Sequence, residues 1–85
     1  MQTKKNLTEA LDLLFEEMIS FQRVRLLQLA EKFVPNITTD DILQPQDIPV
    51  LENNPTFRYE EGIVEGLLTA QIAYLRLKKD LLESD

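Results

Sequence analysis

The chain has 85 residues, no cysteine, no histidine and a net charge of −6. A chain of this length is expected to form one domain, residues 1–85, with a thin core that oligomerisation often supplements. The missing residue types exclude disulfides, cysteine metal sites and the usual nucleophile–base pairs, so we predict neither an enzyme nor a cofactor or metal site.

The first predicted element is a long helix over about residues 6–34. Asn6 and Glu9 have the spacing of a capping box with asparagine as the cap, and Pro35 disfavours helix at the residue before it. Between these ends an apolar seam advances by steps of four and three residues, which is typical of one side of a helix in a bundle. Its members are Leu7, Leu11, Leu14, Met18 and Phe21.

Arg25 stands where that seam would continue, and two interpretations of it are open. In the first, the apolar stripe drifts onto Leu26 and its neighbours, so the Arg25 stem packs at the edge while its charge stays in water. In the second, Arg25 pairs across the hairpin with Glu60, Glu61 or Glu65. A buried pair of that kind would fix the register of the helices more than it would stabilise them.

Residues 35–54 are predicted to form a structured, proline-rich connector. Thr38 or Thr39 can cap a short helical turn that Pro45 ends, and Pro49 suits the start of a second turn. Several apolar residues of the connector need a surface to pack on, so we expect it to fold back over the closed end of the hairpin. They are Ile37, Ile42, Leu43, Ile48, Val50 and Leu51.

A second long helix is predicted over about residues 55–83, opened by the Asn54–Pro55 cap. It carries two apolar stripes about 100° apart. The first stripe contains Ile63, Leu67, Ala70, Tyr74, Leu77 and Leu81, and the second contains Phe57, Val64, Leu68, Leu75 and Leu82.

The same helix contains small and aromatic residues that could have special roles. Gly62 and Gly66 share one face, and either the same chain packs closely on them or they form a contact face for a partner. Tyr59 and Tyr74 could act as acids in principle, but both are predicted to pack within the bundle.

These elements predict an all-α fold, an antiparallel hairpin of two long helices. Each helix is apolar over nearly half of its circumference, and a single partner helix covers only one strip of it. Large apolar surfaces rarely stay exposed. We therefore expect a homodimer that forms a four-helix bundle.

Two classes of function fit this architecture. The favoured one is a small acidic protein-interaction module (an adaptor, regulator or chaperone-like subunit) that contacts an amphipathic or basic partner helix. The alternative is a helical bundle that binds a small molecule or ion near Arg25, Tyr59 and Glu61. The candidate interaction or register residues are Arg25, Tyr59, Glu61, Gly62, Gly66, Leu68 and Leu75.

Other classes of partner are not expected. The basic residues form no continuous positive face, which argues against nucleic acid. No apolar run reaches the roughly eighteen residues of a membrane span. Glu9 and Asp12 interrupt the apolar core that a signal peptide needs, so we expect a cytoplasmic protein.

Overall fold

The computed structural model describes residues 2–83, which form an antiparallel hairpin of two long helices. Helix α1 spans Gln2–Glu31 and helix α4 spans Pro55–Glu83. The connector contains three short elements: helix α2 (Thr39–Leu43), a 3₁₀ turn (Pro45–Asp47) and helix α3 (Pro49–Glu52). No strand occurs among the described residues, and the predicted all-α hairpin is confirmed. The molecule is a rod of 50 × 18 × 17 Å.

The start of α1 differs from the prediction. The helix begins at Gln2, so Asn6 lies inside it and the predicted capping box at Asn6 is wrong. Thr8 Oγ1 donates instead to the Lys5 carbonyl oxygen at 2.9 Å, a bond within the helical turn. Such back-bonding is compatible with a continuing helix, and the residues before Asn6 extend it.

The end of α1 also comes earlier than the predicted residue 34. The helix stops at Glu31, although the Val34 N–H still donates to the Ala30 carbonyl oxygen at 2.9 Å. Asn36 then adopts φ 65°, in the left-handed region that asparagine tolerates better than most residues. The chain therefore turns sharply into the connector around Pro35.

The connector has its predicted caps and turns, but the prediction that Leu43 and Val50 pack on the hairpin is wrong, because they are 74% and 47% exposed. Thr38 Oγ1 accepts from the Asp41 N–H at 3.2 Å, while Asp41 Oδ2 accepts from the Thr38 N–H at 3.0 Å. This reciprocal pair is a capping box at the start of α2. Asn54 Oδ1 accepts from the Phe57 N–H at 2.9 Å, so the predicted cap of α4 is confirmed.

The core lies at the closed end of the hairpin, where the connector packs across both long helices. Leu51 and Phe57 are fully buried there. The buried cluster combines the end of α1, the connector and the start of α4: Leu26, Ala30, Ile37, Leu51, Phe57 and Val64. At the far end the helices meet through smaller contacts, including the Phe15 and Tyr74 rings, which stack with centroids 5.2 Å apart.

Candidate interaction surfaces

The second predicted stripe of α4 faces α1, but only over its first half. Phe57 and Val64 are buried and Leu68 is half-buried, whereas Leu75 and Leu82 are 45% and 40% exposed. The inward side of α1 is displaced by roughly a quarter turn from the predicted seam. That inward side contains Thr8, Phe15, Ile19, Gln22, Leu26 and Ala30.

The two predicted seams lie side by side on one flank of the hairpin. Arg25 continues the α1 seam, and Glu60 precedes the α4 seam by one step of three residues. Arg25 Nη2 lies 3.4 Å from Glu60 Oε1, so the two seams meet on the same side. We call this surface the open face; it comprises Leu7, Leu11, Leu14, Met18, Phe21, Ile63, Leu67, Ala70, Leu77 and Leu81. Tyr74 shares the spacing but packs inward on Phe15.

The open face is apolar and largely uncovered. Phe21 is 65% exposed and Leu77 is 56% exposed, and none of the members carries a charge. From Ile63 to Leu81 the face extends about 27 Å, at about 1.5 Å per residue. Contiguous apolar surfaces of this size usually mark a contact site.

A second apolar surface, the connector groove, lies on the opposite flank between α2 and the long helices. Its main cavity has a volume of about 560 Å³ and is lined by Arg23, Leu26, Thr39, Ile42, Leu43, Glu61, Val64, Glu65 and Leu68. A neighbouring cavity of about 410 Å³ shares Arg23, Thr39 and Leu68 with it. Helix α2 contains no fully buried residue: Ile42 packs against the buried cluster, while Leu43 stays 74% exposed at the side of the groove.

Three of the predicted site residues lie at these two surfaces. Glu61 and Leu68 line the connector groove, and Arg25 lies at one end of the open face. Leu75 lies farther along α4 and is exposed. The prediction that Tyr59 packs in the bundle is wrong, because its side chain is 70% exposed. Tyr59 comes two residues after buried Phe57, which places it roughly 200° around the helix.

Gly62 and Gly66 lie on the outer side of α4 and are exposed. A Cβ built on either glycine would meet no atom within 4 Å among the described residues. The interpretation that the same chain packs closely on these glycines is therefore wrong. Their spacing alone could not reveal this, because it does not say which side of α4 faces α1.

The structure does not bring Arg25, Tyr59 and Glu61 together as a ligand pocket. Arg25 lines a cavity of about 430 Å³ with Lys32 and Glu60, on the flank of the open face. Glu61 points into the connector groove and pairs with Arg58 at 3.0 Å. Within the part of the chain that the structure describes, no three acidic side chains group as metal ligands.

The pair of Arg25 with Glu60 is one of the two interpretations open from the sequence, although Arg25 is exposed in it; the Gln22 contact to the same carboxylate was not predicted. The buried Gln22 side chain donates through Nε2 to Glu60 Oε2, and Arg25 contacts the other oxygen of the same carboxylate. Gln22 follows Phe15 by seven residues, so its position on the inward side could have been read from the helical period. Its partner could not, because that depends on the register of the hairpin.

A second polar cluster joins the helices near their free ends. The Tyr74 hydroxyl lies 2.7 Å from the Thr8 carbonyl oxygen and 2.8 Å from Asp12 Oδ1, and Lys78 Nζ lies 2.7 Å from Asp12 Oδ2. Hydrogen bonds from Lys78 and Tyr74 lower the pKa of Asp12 below its ordinary value. Desolvation and the bond to Asp12 raise the pKa of Tyr74 to about 12. The cluster thus favours ionised Asp12 and neutral Tyr74.

Comparison of the chain with protein-family models, curated proteins and solved structures finds no match. Over residues 2–83, neither long helix includes a stretch with the length and apolarity of a membrane crossing. The open face and the connector groove are therefore the features from which function is inferred.

Proposed function

We propose that this protein is a small acidic interaction module that works through helix–helix contacts and whose open face is covered by a second copy. In the proposed homodimer, two hairpins pack through their open faces as a four-helix bundle. The observation that carries the proposal is the exposure of large apolar side chains from both helices on one flank, with Leu14 47% and Leu77 56% exposed.

The pattern of the open face favours another helical pair as its occupant. Leu7, Leu14 and Phe21 recur every seven residues, and Leu11 and Met18 fall between them, as in a knobs-into-holes seam. Ile63, Ala70 and Leu77 repeat the same spacing on α4. A second copy supplies the same two seams through a two-fold axis, the commonest symmetry of protein dimers.

Charge does not oppose association of identical copies through this face. The chain carries −6 overall, but the open face itself is uncharged, so face-to-face packing does not bring its acidic groups directly together. Arg25 and Glu60 lie at one end, where they can form the polar rim that surrounds an apolar interface.

Sedimentation equilibrium of the unmodified protein and two matched double variants tests this proposal. Leu14→Ser with Leu77→Ser alters the open face, whereas Leu13→Ser with Ile72→Ser removes apolar side chains of similar exposure elsewhere. We expect a dimeric mass for the unmodified protein and the control, and a helical monomer for the open-face variant. A monomeric mass for all three, or equal dissociation by both variants, would refute the proposed dimer.

A further inference from the structure

We propose that the connector groove binds a short amphipathic helix of another protein, with large apolar residues on one face and lysine or arginine beside them. This inference deepens the proposed interaction function, but it does not depend on the dimer. The groove and the open face lie on opposite flanks of the hairpin, so each can be altered without the other.

The groove is held open by the connector. The Thr38–Asp41 capping box fixes the start of α2, and buried Ile37 and Leu51 anchor the chain on both sides of it. Leu43, at the end of α2, is nevertheless 74% exposed and lines the groove. An ordered wall with an uncovered leucine needs little rearrangement to receive a partner, which reduces the entropic cost of binding.

The floor and the length of the groove suit a helix. Leu26 and Val64 are buried at its base, with Leu68 half-buried beside them. The two joined cavities run along α4 from Glu61 to Gln71, a distance of about 15 Å. That length accommodates about ten residues of a partner helix, enough for two or three apolar contacts spaced by three and four residues.

The charges around the groove favour a basic partner. Glu16, Glu61 and Glu65 line its edges, and Arg23 is the single basic residue among the lining side chains. Glu61 already pairs with Arg58, so Glu16 and Glu65 are the carboxylates open to a partner. Among the described residues, neither Glu16 nor Glu65 forms an ion pair. Lysine or arginine beside the apolar face of a partner would complement these carboxylates. A second copy carries a net charge of −6 and is less suited to them, so the occupant that we propose is a different protein.

The binding test uses three fluorescein-labelled peptides of about twelve residues, a length of about three helical turns. The first has leucine on one helical face and lysine on the other, the second has glutamate in place of lysine, and the third has the composition of the first in scrambled order. Fluorescence anisotropy measures their binding to the full chain. We expect the first peptide to bind at least about tenfold more tightly than the other two.

Variants with matched controls locate the binding site. Glu65→Lys alters the groove, and Glu31→Lys makes the same charge change outside it. Leu43→Ser removes an exposed groove leucine, and Val50→Ser removes an exposed apolar residue from another part of the connector. We expect each groove variant to weaken binding of the first peptide by about fivefold or more, a loss within the range of single interface contacts, with both controls unchanged.

Three results would overturn the groove assignment. The unmodified protein could fail to bind the first peptide, or Glu31→Lys could weaken binding as much as Glu65→Lys, which would indicate general charge attraction. Dissociation of a dimer by Leu43→Ser would instead assign the groove to a second copy. Sedimentation of the same variants tests the proposed dimer independently of peptide binding. If the dimer forms through the open face, Glu65→Lys leaves the sedimenting mass unchanged.

Discussion

Arg25 on α1 and Glu60 on α4 meet at one end of the open face, with Arg25 Nη2 3.4 Å from Glu60 Oε1. The Glu60 carboxylate also accepts a hydrogen bond from the buried Gln22 amide. The same carboxylate therefore contacts one exposed side chain, Arg25, and one buried side chain, Gln22. The Arg25 side chain is 52% exposed and its guanidinium lies 5.9 Å from the Phe21 ring centroid. The contact lies on the flank where the two apolar seams run side by side.

The two contacts of Glu60 differ in their expected contribution to stability. Arg25→Ala removes an exposed ion pair and should lower the free energy of unfolding by less than about 1 kcal/mol. Glu60→Ala also removes the side-chain acceptor of the buried Gln22 amide, which keeps only a 3.4 Å contact to the Glu60 carbonyl oxygen, so we expect a loss of about 1–3 kcal/mol. Urea denaturation of both variants measures the difference. Equal losses would show that the hydrogen bond from Gln22 to the Glu60 side chain does not stabilise the fold.

The structure predicts different roles for two phenylalanines. Phe57 is fully buried in the core, so Phe57→Ala should lower the free energy of unfolding by about 3–5 kcal/mol. Phe21 is 65% exposed on the open face, so Phe21→Ala should weaken association while leaving the hairpin folded. Circular dichroism during urea titration, combined with sedimentation, separates the two effects. Unfolding of the monomer by Phe21→Ala would contradict the described core.

The exposed glycines of α4 are expected to weaken the helix without serving a close contact. Gly66→Ala should raise the free energy of unfolding by about 1 kcal/mol, because alanine favours helix and its Cβ meets no neighbouring atom. Ala73→Gly, on the same outer side, should lower it by a similar amount. Thermal and urea denaturation check both changes. A destabilising Gly66→Ala would show that another group approaches this backbone.

The Tyr74 cluster predicts a loss of stability at alkaline pH. The pKa of Tyr74 is raised to about 12, so neutral Tyr74 stabilises the fold fully below the ordinary tyrosine pKa of about 10. This stabilisation is lost as pH rises from the ordinary to the raised pKa. Tyr74→Phe should cost about 1 kcal/mol at neutral pH and reduce this alkaline loss. Denaturation at several pH values measures both effects, with Tyr59→Phe as the exposed control. An unchanged alkaline loss in Tyr74→Phe would contradict the hydrogen bond to Asp12.

The same cluster also predicts a loss of stability at acidic pH. Because the pKa of Asp12 is lowered, ionised Asp12 stabilises the fold above the ordinary carboxyl pKa. This stabilisation is lost as pH falls through the lowered value. Asp12→Asn should therefore make stability less dependent on pH in this acidic range. Urea denaturation at a series of acidic pH values provides the comparison, and Asp80→Asn is a control on an exposed aspartate.

Local signals in the sequence predicted much of the fold. Thr38, Asn54 and the prolines have short-range effects on the backbone, so the connector turns and the start of α4 could be inferred from them. Asn6 shows the limit of this inference, because a capping residue can also lie inside a helix when the chain before it continues the helix.

The choice of inward side could not be inferred from periodicity. Both long helices carry more than one apolar stripe, and the side that faces inward depends on how the hairpin and connector pack together. The Leu7–Phe21 seam has the more regular spacing, yet Phe15, Ile19 and Leu26 are the residues that α4 covers. For the same reason the predicted site residues do not form one site: Glu61 and Leu68 line the connector groove, whereas Gly62 and Gly66 lie on the outer side of α4.

The most direct test of the open face is paramagnetic solvent relaxation of leucine methyl groups in the unmodified protein. At concentrations where the dimer dominates, we expect weak relaxation at Leu14 and Leu77 and strong relaxation at Leu13 and Leu43, which lie outside that face. Dilution should increase the relaxation of Leu14 and Leu77 and leave Leu13 and Leu43 unchanged. Strong relaxation at all four leucines at every concentration would contradict the claim that a second copy covers the open face.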